Sequence, residues 1–125
     1  MKYIYHITNS DDWQNAKKLG IYENQSLKTQ GFIHCAANDQ VVEIAGQFFS
    51  EYDDLTVLKI NAENTKYAVV YENLDNGSDL YPHIYGPIEI NTVEGVLKLK
   101  KNTNGTFYFP EEKKMQGVCG YGMII

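Results

Sequence analysis

Two spacings of apolar residues divide this chain. Residues 3–7, Tyr-Ile-Tyr-His-Ile, are aromatic and β-branched, the makeup of a strand. The period then opens to that of a helix: Trp13, Ala16 and Leu19 mark one side, Asp11 and Asp12 suit its positive end, Ser10 offers an N-cap and Gly20 a stop. A polar stretch over 23–30 leads to a second strand at 32–34. Asn38 stands as cap to the strongest helical pattern, in which Val41, Ala45, Phe48 and Tyr52 fall in line and Val42 and Phe49 widen a stripe that reads as core. From Asp54 onward the pattern is that of strands, at 55–60, 67–72, 84–90, 93–99 and 106–109. The last two are joined by Asn102-Thr103-Asn104-Gly105, which has hairpin turn chemistry. Pro82 and Pro87 flank His83, which predicts an edge strand or structured loop there. Gly117, Gly120 and Gly122, around Val118, Cys119 and Tyr121, predict an irregular or bulged final strand within 111–125. Two N-terminal helices followed by many strands indicate an α+β fold.

With 125 residues, 43% of them hydrophobic, the chain fits one domain over 1–125. All 11 basic side chains are lysine, and the formal charge is -5. Without arginine there is no planar fork for phosphate or base edges, and the net charge opposes a polyanion, so no nucleic-acid partner is expected. The two cysteines, Cys35 and Cys119, lack zinc or dithiol spacing. Cys35 follows His34, but neighbours in a strand point to opposite faces, which argues against a nucleophile and base pair. No segment has the length of a membrane span or the apolar run of a signal peptide, and the expectation is a cytoplasmic protein with free thiols.

The whole supply of histidine sits in three motifs of one shape, Tyr5-His6-Ile7-Thr8, Ile33-His34-Cys35 and Tyr81-Pro82-His83-Ile84-Tyr85. Imidazole serves as acid, base or hydrogen-bonding group near neutral pH. Spacing gives no support to a metal held by the three, and no metal is expected. The helix that begins just after His34 brings free N–H groups at Asp39 and Gln40 to the same neighbourhood, where they could hold an anionic group.

Ile4-Tyr5-His6-Ile7-Thr8, Trp13 and Ala16, Gly20-Ile21-Tyr22, Ser26-Leu27, Gly31-Phe32-Ile33-His34-Cys35, Gln40 with Phe48-Phe49, Tyr71-Glu72 and Pro82-His83-Ile84-Tyr85-Gly86-Pro87 together resemble the bacterial domain of unknown function 952, over roughly residues 3 to 100. That family is similar to the ADP-ribosyltransferase fold, a split β-sheet that cradles NAD, in its RNA 2′-phosphotransferase branch. The resemblance implies an α+β split sheet with two N-terminal helices. It matches His6 and Thr8 to a first motif and His34 to a second, with Glu72, His83 and Tyr85 as alternatives for the third position. It departs in having no arginine, and Cys35 stands where a hydroxyl residue is expected.

What it implies in function is an NAD- or nucleotide-binding enzyme acting at the N-glycosidic bond. His34, Glu72 and His83 would be catalytic, and His6, Thr8, Asn38, Gln40, Tyr81 and Tyr85 would bind ligand. In that reading His6 bonds ribose or pyrophosphate, Thr8 and the helix near Asn38 position phosphate, and Tyr81 or Tyr85 stacks on nicotinamide. Glu72 orients a 2′-hydroxyl or takes the nucleophile's proton. The alternatives are a two-histidine phosphoesterase acting on a small phosphate ester and a non-catalytic nucleotide-binding module.

Overall fold

The computed structural model describes residues 2–73 and 79–110. In chain order its elements are β1 (Tyr3–Thr8), α1 (Ser10–Leu19), β2 (Ile21–Tyr22), α2 (Gln25–Gln30), β3 (Ile33–His34), a 3-10 turn (Asn38–Gln40), α3 (Val41–Phe48), β4 (Asp54–Asn61), β5 (Val69–Glu72), β6 (Tyr81–Ile84), β7 (Ile88–Glu89), a second 3-10 turn (Ile90–Thr92), β8 (Val93–Lys101) and β9 (Phe107–Tyr108). This is a mixed α+β domain in which every strand pair is antiparallel.

β1 and β4 pair from Tyr3 opposite Asn61 to Thr8 opposite Thr56. They head a four-stranded sheet of order β1-β4-β8-β9, beside a three-stranded sheet β3-β6-β5 and the pair β2-β7. β1 and β4 read as nearly continuous apolar runs because both faces are covered. On one face Ile4, Leu58 and Ile60 pack with Trp13, Ala16, Ile33 and Ile84. On the other, Tyr5, Ile7, Leu55 and Val57 pack with Val41, Ala45, Leu99 and Phe107. The two larger sheets meet where Tyr5 N–H donates to Ala36 O at 2.8 Å and Ala36 N–H returns the bond at 2.7 Å. That bridge sets the end of β3 against the middle of β1.

Several expectations are corrected. Asn9, not Ser10, caps α1: its backbone is extended, and its Oδ1 accepts the Asp12 N–H at 2.8 Å. Leu19 is exposed, while Gly20 closes the helix in the left-handed conformation at φ 81°. The polar stretch 23–30 contains a third helix, α2, which buries no residue and so has no apolar periodicity to betray it. Asn38 is not the cap of α3; a 3-10 turn precedes that helix, and Gln40 Oε1 accepts the Ala37 N–H at 2.8 Å. Val41 and Ala45 are core, but Val42, Phe48 and Tyr52 are exposed. The expected strand 84–90 is two strands, and β6 is the central strand of its sheet rather than an edge. Pro82 is tolerated there because its carbonyl bonds Cys35 N–H at 3.0 Å, past the two paired residues of β3. Its missing N–H lies on that same side, so only the reciprocal bond to Cys35, beyond the paired residues of β3, is lost. The expected final strand within 111–125 lies outside the described residues. Among the described residues no helix is long and apolar enough to cross a membrane.

Candidate functional site

The junction of the two larger sheets opens into a cavity of about 650 Å³. Its polar lining includes His6, Thr8, Asp12, Tyr22, His34, Glu72, Tyr81 and His83, and its apolar lining Ile44, Phe48, Phe49, Tyr52 and Leu55. Six of the nine residues singled out from the sequence therefore share one wall system. Tyr85 meets it only through Glu72, and Asn38 and Gln40 are not on the described lining. Gln40 is engaged as a tie, accepting from Ala37 and donating from Nε2 to Leu80 O at 3.0 Å.

His6 is 4% exposed. Its Nδ1 lies 2.6 Å from the His34 carbonyl oxygen; a carbonyl only accepts, so Nδ1 carries the proton. Nε2 then holds the lone pair and accepts from Tyr22 Oη at 2.9 Å, and the Thr8 hydroxyl, 3.0 Å from the same Oη, turns its proton toward it. Burial lowers the His6 pKa to about 4, with the His34 carbonyl bond opposing the shift. The same burial raises Tyr22 to about 12. Both ring nitrogens of this neutral imidazole thus have protein partners.

His34 and His83 face each other across β3 and β6 in direct register, with ring centroids 5.1 Å apart at 80°. His34 donates from Nε2 to Gln30 Oε1 at 2.8 Å, which leaves Nδ1 as its acceptor. Partial burial and the neighbouring His83 lower its pKa. His83 Nδ1 lies 2.7 Å from Glu72 Oε1, and Tyr85 Oη donates to that same oxygen at 2.7 Å. These two bonds hold the Glu72 pKa below the ordinary carboxylate value, and the shared carboxylate in turn raises Tyr85. No buried polar side-chain atom among the described residues lacks a partner, and the His83 ring, though only 3% exposed, is part of the cavity lining.

Sequence reasoning passed over two members of this arrangement. Phe32 stacks on His83 at 4.4 Å and 21°, meets His34 edge-on at 4.9 Å and tilts against Tyr85 at 5.2 Å. Tyr22 closes the hydrogen-bond chain of His6. Both stand inside the recurring motifs, Gly31-Phe32 and Ile21-Tyr22, where each reads as one more core aromatic. Cys35 is buried with its thiol pushed up and protonated, consistent with the expectation that it forms no dyad with His34. No group of three or more histidine, cysteine or carboxylate side chains among the described residues is placed to hold a metal.

The fold recurs in solved structures. A crystal structure of protein CC0527 from Caulobacter crescentus is 28% identical, with a TM-score of 0.75 over 85% of this chain and 93% of that one. A crystal structure of a double mutant of the same protein matches equally well. Its solution NMR structure is 29% identical with a TM-score of 0.72, over 85% of this chain and 91% of that one. No curated protein matches the chain. The model of the family described as "Protein of unknown function (DUF952)" matches residues 7–96, and the chain belongs to that family.

Proposed function

We propose that the cavity is the active site of an enzyme that cleaves the N-glycosidic bond of a ribosylated heterocycle, the bond present in NAD. The observation that carries the reading is the Glu72–His83 pair, fastened by Tyr85 and set on the cavity lining beside His34. In the reaction the C1′–N bond breaks and its electron pair leaves with the heterocycle. A hydroxyl, from water or another acceptor, bonds to C1′, and its proton passes to His83 Nε2. The positive charge that develops on the ribose ring is stabilised by the Glu72 carboxylate, and His34 Nδ1 accepts a ribose hydroxyl proton.

The charge of the lining favours this chemistry over phosphoester cleavage. Apart from the His83 ring, the described polar lining supplies neutral groups and the carboxylates of Glu72 and Asp12, which stabilise a developing cation and repel a developing phosphorane. The bridge at Tyr5 and Ala36 between the two larger of the three sheets supports the resemblance to the split sheet of ADP-ribosyltransferases. The partner in this reading is a small molecule.

A nicotinamide-release assay tests it. Glu72→Gln keeps shape and polarity but loses the charge, so turnover should fall by about two to four powers of ten while ligand binding persists. Unchanged turnover in Glu72→Gln removes the carboxylate from the mechanism. A bell-shaped profile with both limbs near neutrality, on a phosphate ester, would instead mark a two-histidine phosphoesterase.

A further inference from the structure

The hydrogen-bonding sense of the cavity narrows the substrate. We infer that its ligand is an unphosphorylated, cationic or uncharged N-riboside, recognised as a donor of hydrogen bonds, and not a nucleotide. The inference rests on the glycosidic reading for the bond that is cleaved, but on separate observations for the charge.

First, the three groups placed at the reacting end, Glu72, His34 and His83, are acceptors. Glu72 is an ionised carboxylate, His34 has spent its donor on Gln30, and His83 in its neutral form has spent its donor on Glu72. Ribose hydroxyls and cations satisfy such groups. Phosphate oxygens, which only accept, do not. Second, the helix ends around the cavity are already closed by the chain itself. Asn9 caps Asp12 N–H at the start of α1, Asn24 Oδ1 takes Leu27 N–H at the start of α2, and the 3-10 turn before α3 is tied by Gln40. At each of these ends the chain itself thus takes a backbone donor that phosphate would otherwise use. Third, the described lining has two carboxylates and no lysine, while Phe49, Tyr52 and Phe48 offer aromatic surface on the same lining. Carboxylates together with aromatic faces attract a flat cation, such as an N-ribosylated pyridinium.

Two comparisons on the intact protein test the inference. In the release assay, kcat/KM for nicotinamide riboside should exceed that for nicotinamide mononucleotide and for NAD by about tenfold or more. In calorimetry, N-methylnicotinamide should bind and AMP should not. Gln47→Arg, on the exposed face of α3 at the cavity wall, supplies the missing cation and should bring mononucleotide use toward that of the riboside. Equal or better use of the phosphorylated substrates by the wild type overturns the inference and leaves the glycosidic reading intact. Cleavage of no N-riboside, with binding of N-methylnicotinamide over AMP, overturns the glycosidic reading and keeps the charge selectivity. Failure to bind the cationic probe at all, or binding of AMP at least as tightly, overturns the inference directly.

Discussion

Acidification should destabilise this protein well above the pH at which carboxylates titrate, and His6 is the reason. Its folded pKa is about 4 against an ordinary value of 6.5, so between those two values the unfolded chain binds a proton that the folded chain refuses. The sign follows from linkage: stability is fully present above pH 6.5, falls as pH drops through the window, and levels off below about 4. The difference of about 2.5 pKa units corresponds to about 3 kcal/mol over the whole window, and about 2 kcal/mol has gone by pH 5. That is a sizeable share of a typical net stability of about 5–15 kcal/mol. The measurement is urea denaturation at pH 7.5, 6.5, 5.5 and 5.0 on the wild type and on His6→Asn. The variant starts from a lower stability because it loses the buried bonds to Tyr22 and the His34 carbonyl, but it carries no imidazole at this site. The gap between the two should shrink by about 2 kcal/mol from pH 7.5 to pH 5. A gap that stays constant, or an NMR titration placing the His6 pKa near 6.5, refutes the assignment of a buried neutral imidazole.

Tyr22→Phe should cost about 1–3 kcal/mol in chemical denaturation, because it strips the donor from buried His6 Nε2 while keeping the ring's packing; no change would mean the hydroxyl chain is idle. Gly86→Ala should cost about 1–3 kcal/mol, since an added Cβ would lie 2.9 Å from Tyr67 Cε1 and closer still to Cγ and Cδ1; a neutral result would show that the ring swings aside freely. Tyr85→Phe removes one of the two donors that keep Glu72 ionised, so the acidic limb of the pH–rate profile should move to higher pH; an unmoved limb separates Tyr85 from the site. Asn9→Ala should lower stability by about 1 kcal/mol through loss of the α1 cap, where Ser10→Ala should do little.

What could be read from the sequence follows from what was buried. β1 and β4 announce themselves because both faces are covered, so their apolar runs are interrupted inside the strands only at His6, Thr56 and Lys59. The hairpin before β9 is written in its turn, where Gly105 takes φ 92°. α2 was missed because it is held by an asparagine cap and a left-handed glycine rather than by a buried face. Phe48 and Tyr52 share the period of Val41 and Ala45, yet the helix ends at Phe48 and the cavity opens beside them, so periodicity alone takes cavity wall for core. Pro82 misled for a related reason: a proline rule written for full ladders does not bind where the neighbouring strand is two residues long. Of the site, the gathering of the histidines was legible in their parallel motifs. The engagement of Gln40 with Ala37 and Leu80 was not, since a bond to a carbonyl 40 residues away leaves no local trace.

The parallel motifs also concealed a difference that only the surroundings create. His6 and His83 are buried to nearly the same degree, 4% and 3% exposed, so accessibility does not separate them. Their neighbours do. Around His6 the partners are a carbonyl, a tyrosine hydroxyl and a threonine hydroxyl, neutral dipoles that fill both nitrogens and leave desolvation to dominate, which forbids the charged form. Around His83 the partner is an ionised carboxylate on one nitrogen, which can balance a proton arriving at the other. A buried imidazole can cycle through its charged form only where a counter-charge is already in place. In the proposed reaction proton transfer therefore belongs to the strand pair of β5 and β6, while the His6 chain fixes the end of β3 on which His34 stands. Glu72→Gln should thus cost far more turnover than Tyr85→Phe, which leaves the carboxylate in place, and equal losses would show that the carboxylate is not what separates the two imidazoles.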